Sequence, residues 1–353
     1  MACVTLTRST LHNAKMTTPP KGGLILVTGV TALKLLERGY KVRGTARTLS
    51  KAEFLKNGPF AKYADNFEVV EVADLELDGA FNEAVKGVDG IEHIASPFHY
   101  RVTDPYKDLI NPAVNGTLNL LRAAKNHAGS QLKRVVITSS FASIMEPFPP
   151  GHTYDESQWN IRSVTICEDY KSGKSTTMPP PNESYRASKA LAERALWDFV
   201  ATEKPAFEVV AINPTFVFGP VIHSVKDAES INTSVYLVFK YFAGLNDKIE
   251  EGPAPKAYVD VRDVAEAHIK ALEIEEAKGK RFLNCGGGFT WEEVVDVLRR
   301  HYPGKKFPEN PVEKGPEYGF NNKQSIEVLG INYISFEDTV LETVKSVEKF
   351  VSS

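Results

Sequence analysis

Short apolar runs alternate with amphipathic stretches along the first two-thirds of the chain. Leu24-Ile25-Leu26-Val27, set between Gly22-Gly23 and Thr28-Gly29, reads as a buried strand. Ala32 to Gly39 is helical in character and closed by glycine. Tyr40 to Thr45 and Phe67 to Val72 read as strands, followed by an Ala-rich helix around Phe81 to Val85 and a strand from Ile91 to Ala95. A longer helix near Asn111 to Asn126 precedes the strand Arg134 to Ser139; a helix from Ser184 to about Glu203 precedes the strand Phe207 to Ile212. Strands alternating with helices at this spacing predict βαβ units, hence an α/β fold with a doubly wound parallel sheet.

Two stretches break the rhythm. Glu146 to Glu183 holds Pro147, Pro149, Pro150 and Pro179-Pro180-Pro181 among many Ser, Thr and Gly residues, and reads as a long excursion of the kind that forms lids or binding loops. After Asn213-Pro214 the pattern loosens, which predicts a smaller substrate-side domain built from C-terminal segments. The first twenty residues lack the apolar stretch of a secretory signal and read as a disordered tail.

Composition narrows the class. With Lys+Arg at 42 and Asp+Glu at 45, the formal net charge is −3, so there is no electrostatic case for a nucleic-acid partner or an acidic membrane surface. Hydrophobic residues at 42 % supply ample core, and no apolar run approaches the ~20 residues of a membrane span. Three scattered cysteines suit a reduced interior such as the cytoplasm and neither a disulfide framework nor a zinc site. His152, His223 and His268 show no metal-ligand spacing, so no metal is expected.

The chemistry concentrates on Tyr185-Arg186-Ala187-Ser188-Lys189. At i and i+4 on a helix, Tyr185 and Lys189 share one face, about 5–6 Å apart at Cβ. A phenol with a pKa near 10 is a poor acid at neutral pH, and a neighbouring ammonium lowers it into the useful range. Taken alone, the pair is equally the pattern of a packed Tyr with a wet tip beside a solvated Lys. Thr138-Ser139-Ser140 closes a buried strand some way upstream, where ligands bind in this fold class. A hydroxyl at Ser140 there can bond the oxygen that Tyr185 protonates, while Ser139 faces a helix or the cofactor. Hydroxyl, phenol and ammonium in this order suggest carbonyl reduction or alcohol oxidation.

Over nearly everything after residue 21, the chain resembles the extended short-chain dehydrogenase/reductases, in particular the dihydroflavonol-reductase-like branch with its fungal NADPH-dependent aldehyde and ketone (methylglyoxal-type) reductases. The resemblance rests on Leu26-Val27-Thr28-Gly29, Gly39 to Arg47, His93 to Pro97, Asn115 to Leu121, Thr138-Ser139-Ser140, Asp155 to Asn160, Tyr185 to Lys189, Asn213-Pro214 and Tyr258 to Ala265. It implies a Rossmann NAD(P)-binding domain over 21–212 with a returning segment near 255–274, and a mainly substrate-binding domain over 213–353. It implies Ser140, Tyr185 and Lys189 as the catalytic set: Tyr185 gives the proton, Ser140 orients the carbonyl, and Lys189 holds the nicotinamide ribose while lowering the Tyr185 pKa. Asp74-Leu75 resembles the segment flanking adenine, and Ala95-Ser96-Pro97 the stretch beside the pyrophosphate and nicotinamide half. Pro214 resembles the residue whose backbone approaches the nicotinamide amide. Asp263 resembles a residue that caps or orients a helix.

The second strand ends in Gly44-Thr45-Ala46-Arg47-Thr48-Leu49-Ser50-Lys51. An NAD-selecting site places an acid there to bond the ribose 2′-hydroxyl; Arg47 and Lys51 suit a 2′-phosphate instead, although two solvated cations at a strand–helix junction read the same way. The expected cofactor is therefore NADP(H). Phe98 and Phe141, near strand ends, are candidate walls of a substrate pocket, and core packing accounts for them equally well. His93 reads as a core histidine beside the site.

One departure stands out. The family's phosphate loop carries three spaced glycines before its first helix, whereas this chain passes from Thr28-Gly29 through Val30-Thr31 straight into Ala32. By that comparison about seven residues are missing, with two glycines and the helix's first turn, leaving only Gly29 to meet the phosphates. At ~1.5 Å per residue nearly two turns are lost. The shortened helix is expected to pack through Leu33, Leu35 and Leu36 over a poorer phosphate cradle. The expected activity is NADPH-dependent reduction of an aldehyde or ketone, and the short loop reads either as a local gene-model or splicing error in an ordinary reductase or as a true variant in which cofactor binding is weakened. The alternatives are an NAD-dependent epimerase or hydroxysteroid-type dehydrogenase, and a catalytically inactive nucleotide-sensing or scaffold protein. The expected partner is a small carbonyl substrate, and the chain a monomer or homodimer.

Overall fold

In the computed structural model, which describes residues 17–27, 31–95, 102–222, 225–313 and 315–351 (Lys51 by its backbone alone), seven strands form one sheet in which every pairing is parallel. The first half comprises β1 (Leu24–Val27), α1 (Ala32–Glu37), β2 (Lys41–Ala46), α2 (Ser50–Asn57), β3 (Phe67–Glu71) and β4 (Gly90–His93). Next come α3 (Asn111–His127), β5 (Arg134–Thr138), the short β6 (Thr153–Tyr154), α4 (Arg162–Lys171), α5 (Pro181–Glu203) and β7 (Glu208–Pro214). The remainder holds β8 (Phe216–Phe218), α6 (Thr233–Phe242), β9 (Ala257–Asp260), α7 (Val261–Glu273), β10 (Arg281–Asn284), β11 (Gly287–Gly288), α8 (Trp291–His301), β12 (Gly319–Phe320), α9 (Lys323–Leu329) and α10 (Phe336–Val347).

The order β10-β7-β5-β4-β1-β2-β3 reverses direction between β1 and β4, as expected of a doubly wound sheet. Both faces are buried, so successive residues of one strand serve opposite cores. Ile25, Val27, Val136, Val210 and Ile212 face α1, α7 and α9, whereas Leu26, Val135, Ile137, Val209 and Ala211 face α3 and α5. On α1, Leu35 and Leu36 are fully buried and Leu33 packs against the same core, the arrangement expected of the shortened helix. Each buried leucine stabilises the fold by roughly 1.5–3 kcal/mol. Gly39, at φ +84°, takes the left-handed turn that ends α1. Arg134 is buried at the amino end of β5, donating to the carbonyls of Ala271 (2.8 Å), Ile274 (3.0 Å) and Thr17 (3.1 Å).

The sequence reading needs several corrections. Phe81 to Val85 is a run of turns between Gly79 and Gly87, both at positive φ, and not a helix. The excursion over 146–183 is not structureless: it contains β6, which pairs with β12, and the ten-residue α4. Of the expected tail only Thr17–Pro20 are described: Pro19 is buried, Thr17 and Thr18 are partly buried, and Pro20 is exposed. The large sheet also takes β10 from beyond the returning segment at 255–274. Asp260, and not Asp263, caps α7; Asp263 accepts from the Ile334 amide at 2.9 Å.

A second core lies over the sheet β11-β9-β8, where Phe218, Val238, Tyr241, Val294, Leu298 and Val340 pack together from β8, α6, α8 and α10. Thr290 and Glu293 form a reciprocal capping box that starts α8.

Candidate active site

The carboxyl ends of β4, β5 and β7 and the first half of α5 meet along one edge of the sheet. Helix α5 begins after Pro180 with Pro181 at its first position, where a missing N–H costs nothing. Tyr185 and Lys189 follow on one face, and Lys189 Nζ lies 5.9 Å from the centre of the Tyr185 ring. The two open onto different spaces. Tyr185 lines a cleft of about 940 Å³ together with Ser140, Phe141, Pro214, Phe216 and Trp291. Lys189 lines a cavity of about 20 Å³ with His93, Ala95, Leu75 and Thr138, room for a single water.

Burial pushes the Lys189 ammonium down to about 8. The same cause, with Lys189's charge beside it, pushes His93 down to about 4, so the imidazole is neutral. That fits His93 as a core histidine which also borders the site. On the next strand, Thr138 Oγ1 is 2.8 Å from Nε2 of His268, a buried imidazole pushed down to about 3.

Ser140 is extended (φ −165°, ψ 154°) and its Oγ accepts from the Ala142 amide at 3.1 Å, starting a single 3-10 turn. Ser139 turns away, donating to Glu193 Oε2 at 2.6 Å, so it faces α5. Glu193 is two turns along α5 from Tyr185 and buried. Ser143 Oγ is 2.7 Å from the same oxygen, Asn213 Nδ2 donates to it at 2.8 Å, and Arg281 Nε donates to Oε1 at 2.5 Å. Burial opposes ionisation of Glu193, but the Arg281 charge and the converging donors hold its carboxyl below the ordinary range. Arg281 stacks 3.7 Å over Trp159 and donates to the carbonyls of Glu156 (2.7 Å) and Gln158 (2.9 Å).

Among the other sequence candidates, Arg47 is exposed just past β2 and enters no ion pair among the described residues. Asp74 is exposed and accepts from the Glu76 amide at 2.9 Å, whereas Leu75 and Ala95 border the Lys189 cavity. Gly29, Ser96, Pro97 and Phe98 lie outside the described residues, as does the Lys51 side chain. Where the phosphate loop meets α1, Thr31 is buried and its hydroxyl bonds Glu92, a fully buried carboxyl on β4 opposite Val27. Burial raises Glu92 to about 8, against the Thr31 bond.

Sequence reasoning missed Glu193 and the cleft residues Trp291, Tyr241 and Asn182. For Glu193 a signal existed: it falls at i+8 from Tyr185, a charged position on the face that helical spacing turns inward. Asn182 lies one turn before Tyr185 on the same helix, so it too was within reach; for Trp291 and Tyr241, distant in sequence, no signal existed.

Comparison with known proteins adds to this geometry. A model of the NAD dependent epimerase/dehydratase family matches residues 25–286. A ketoreductase, AzaE, of Aspergillus niger is 36 % identical over 338 residues, covering 92 % of this chain and 96 % of that one. The NADPH-dependent methylglyoxal reductase Gre2 of Saccharomyces cerevisiae is 32 % identical, covering 90 % and 93 %. Among solved structures, Gre2 of Candida albicans in complex with NADPH superposes with a TM-score of 0.82 at 32 % identity, covering 93 % of this chain and 99 % of that one.

Proposed function

This chain belongs to the NAD dependent epimerase/dehydratase family, and on that premise we propose that it is an oxidoreductase that reduces an aldehyde or ketone to an alcohol with NADPH. One observation carries the reading: Ser140 and Tyr185 line the same cleft, with the Lys189 ammonium one helical turn behind the phenol. The similarity to a ketoreductase and to NADPH-dependent reductases supports it.

The residues present suit the cofactor on its ribose side. Lys189 is a half-buried cation with no hydrogen-bond acceptor among the described residues, the position of a donor for ribose hydroxyls. Arg47 and Lys51 would receive the 2′-phosphate, Asp74 and Leu75 would flank adenine, and Gly29, Ala95, Ser96, Pro97 and Pro214 would line the path from pyrophosphate to nicotinamide. When bound, NADPH supplies the hydride. Ser140 holds the carbonyl oxygen in the cleft, and Tyr185 gives it a proton as negative charge develops there. Lys189 favours the phenolate left behind. Phe141, which lines the cleft, and Phe98 would supply apolar wall on the substrate side. In this reading 21–212, with the return near 255–274, is the cofactor domain and 213–353 mainly the substrate domain.

Six residues remain in α1, and the shortened loop before it weakens pyrophosphate binding. The test is NADPH oxidation with a panel of aldehydes, diketones and aryl ketones. Turnover above background is expected. None, from a chain whose circular dichroism is that of a folded α/β protein, would falsify the reductase reading and favour an inactive nucleotide-binding protein.

A further inference from the structure

The Glu193 carboxylate contacts the residues on either side of Ser140 without contacting Ser140 itself. It takes the hydroxyl of Ser139 at 2.6 Å, lies 2.7 Å from that of Ser143, and takes the side-chain amide of Asn213 at 2.8 Å. Ser143 and Asn213 in turn bond the Ser140 carbonyl, at 2.8 Å and 3.3 Å. On its other side Arg281, from β10, locks the carboxylate and is itself seated on Trp159. Four elements (β5, β7, β10 and α5) are thus joined at one buried charge, eight residues from Tyr185 on the same helix.

Resting on the reductase reading, we propose that Glu193, clamped by Arg281, is a positioning residue that fixes the Ser140 hydroxyl relative to Tyr185. Stability alone is a poor reason for this pair, since apolar residues of similar volume often serve a buried site as well or better. Charge-assisted hydrogen bonds fix direction as well as distance. Direction is what the turn over 139–143 lacks once β5 has ended.

Glu193→Gln keeps the volume but puts an amide where only acceptors fit. A misplacement of about 1 Å at a reacting group costs on the order of 100-fold, so kcat is expected to fall roughly 10- to 100-fold while KM for NADPH changes little. Amide exchange over 139–145 should quicken, with β1 and β2 unchanged. Arg281→Lys, which keeps the charge, should retain more kcat than Arg281→Met. If Glu193→Gln does not fold, Ser143→Ala, which removes one hydroxyl, is read the same way. A folded variant with unaltered kcat and unaltered exchange overturns the proposal. If the wild-type protein oxidises no NADPH with any carbonyl, the reductase reading fails on its own. Exchange over 139–145 then still decides whether Glu193 holds the turn: quickening supports it, and no change overturns it.

Discussion

Tyr185 and Lys189 stand one turn apart on α5, yet the phenol lines the large cleft and the ammonium lines a separate one-water cavity behind it. The cation reaches the phenol from the side away from substrate, where it can tune acidity without occupying the substrate's space. Replacing Tyr185 by Phe removes the proposed proton donor and keeps the ring. Turnover should drop roughly 10²- to 10⁴-fold with NADPH binding retained, read by stopped-flow oxidation alongside a fluorescence titration. Retained turnover removes Tyr185 from its role.

The same pair sets a pH dependence. With Lys189 lowered by burial to about 8, its charge is present below that pH and lost above it. In the proposed reaction, reduction needs a protonated Tyr185 beside a charged Lys189, so kcat should decline as pH rises through about 8. In Lys189→Met the alkaline limb should move towards the ordinary phenol value near 10, at a lower overall rate. A wild-type profile flat from neutral to strongly alkaline pH would contradict the assignment.

The proposed 2′-phosphate site places an exposed guanidinium, that of Arg47, in charge of cofactor choice. Arg47→Ala should weaken NADPH binding roughly tenfold and leave NADH binding unchanged, the loss of one charge-assisted contact. Isothermal titration with both nucleotides reads it; equal losses for the two would place Arg47 elsewhere than at the 2′-phosphate.

The proposed weakening of the phosphate cradle predicts that wild-type affinity for NADPH is micromolar or weaker. Submicromolar affinity in a fluorescence titration of the unaltered chain removes the idea of an impaired cradle.

Glu92 couples pH to stability near that loop. Its pKa of about 8 in the fold lies above the ordinary carboxyl value of 4.5, so the folded state holds a proton that the unfolded chain releases. The sign follows: ionisation costs stability, the cost growing from pH 4.5 to 8 and constant beyond. Glu92→Gln, neutral throughout and still able to accept from Thr31, should match the wild-type Tm near pH 4.5 and exceed it by a widening margin towards pH 8. A gap that stays constant across that range refutes the assignment.

How far the sequence spoke depended on how local each signal was. Strands β1, β5 and β7 hold apolar runs, the more polar β2 to β4 fall where the alternation expects them, and helices α3 and α5 are long enough for their period to show, so the sheet and the Tyr185–Lys189 face were legible. Helix α4 was not. Its buried side is only Ser163, Val164 and Cys167, too polar a stripe to stand out within a proline- and serine-rich stretch. The false helix at Phe81–Val85 has the composition of a helix, but Gly79 and Gly87 close the chain into turns on either side. Strand β10, four residues long, gains its identity only by pairing with β7. The Glu193–Arg281 contact spans 88 positions and no local pattern could signal it.

That last strand gives the molecule an order of completion. Chains emerge from synthesis amino end first, and domains begin to fold as they appear. Until residues 281–284 arrive, the outer side of β7 is an open parallel edge, a template for unwanted pairing. Over the same interval Glu193, already carried by α5, would lie beneath the sheet without its counter-charge, a costly state for a buried carboxylate. β10, the last strand to join this sheet, thus covers β7, becomes the edge in its place, and brings the carboxylate its counter-charge in one step. A chain arrested before Arg281 is left with the Glu193 carboxylate unpaired and without the clamp around Ser140.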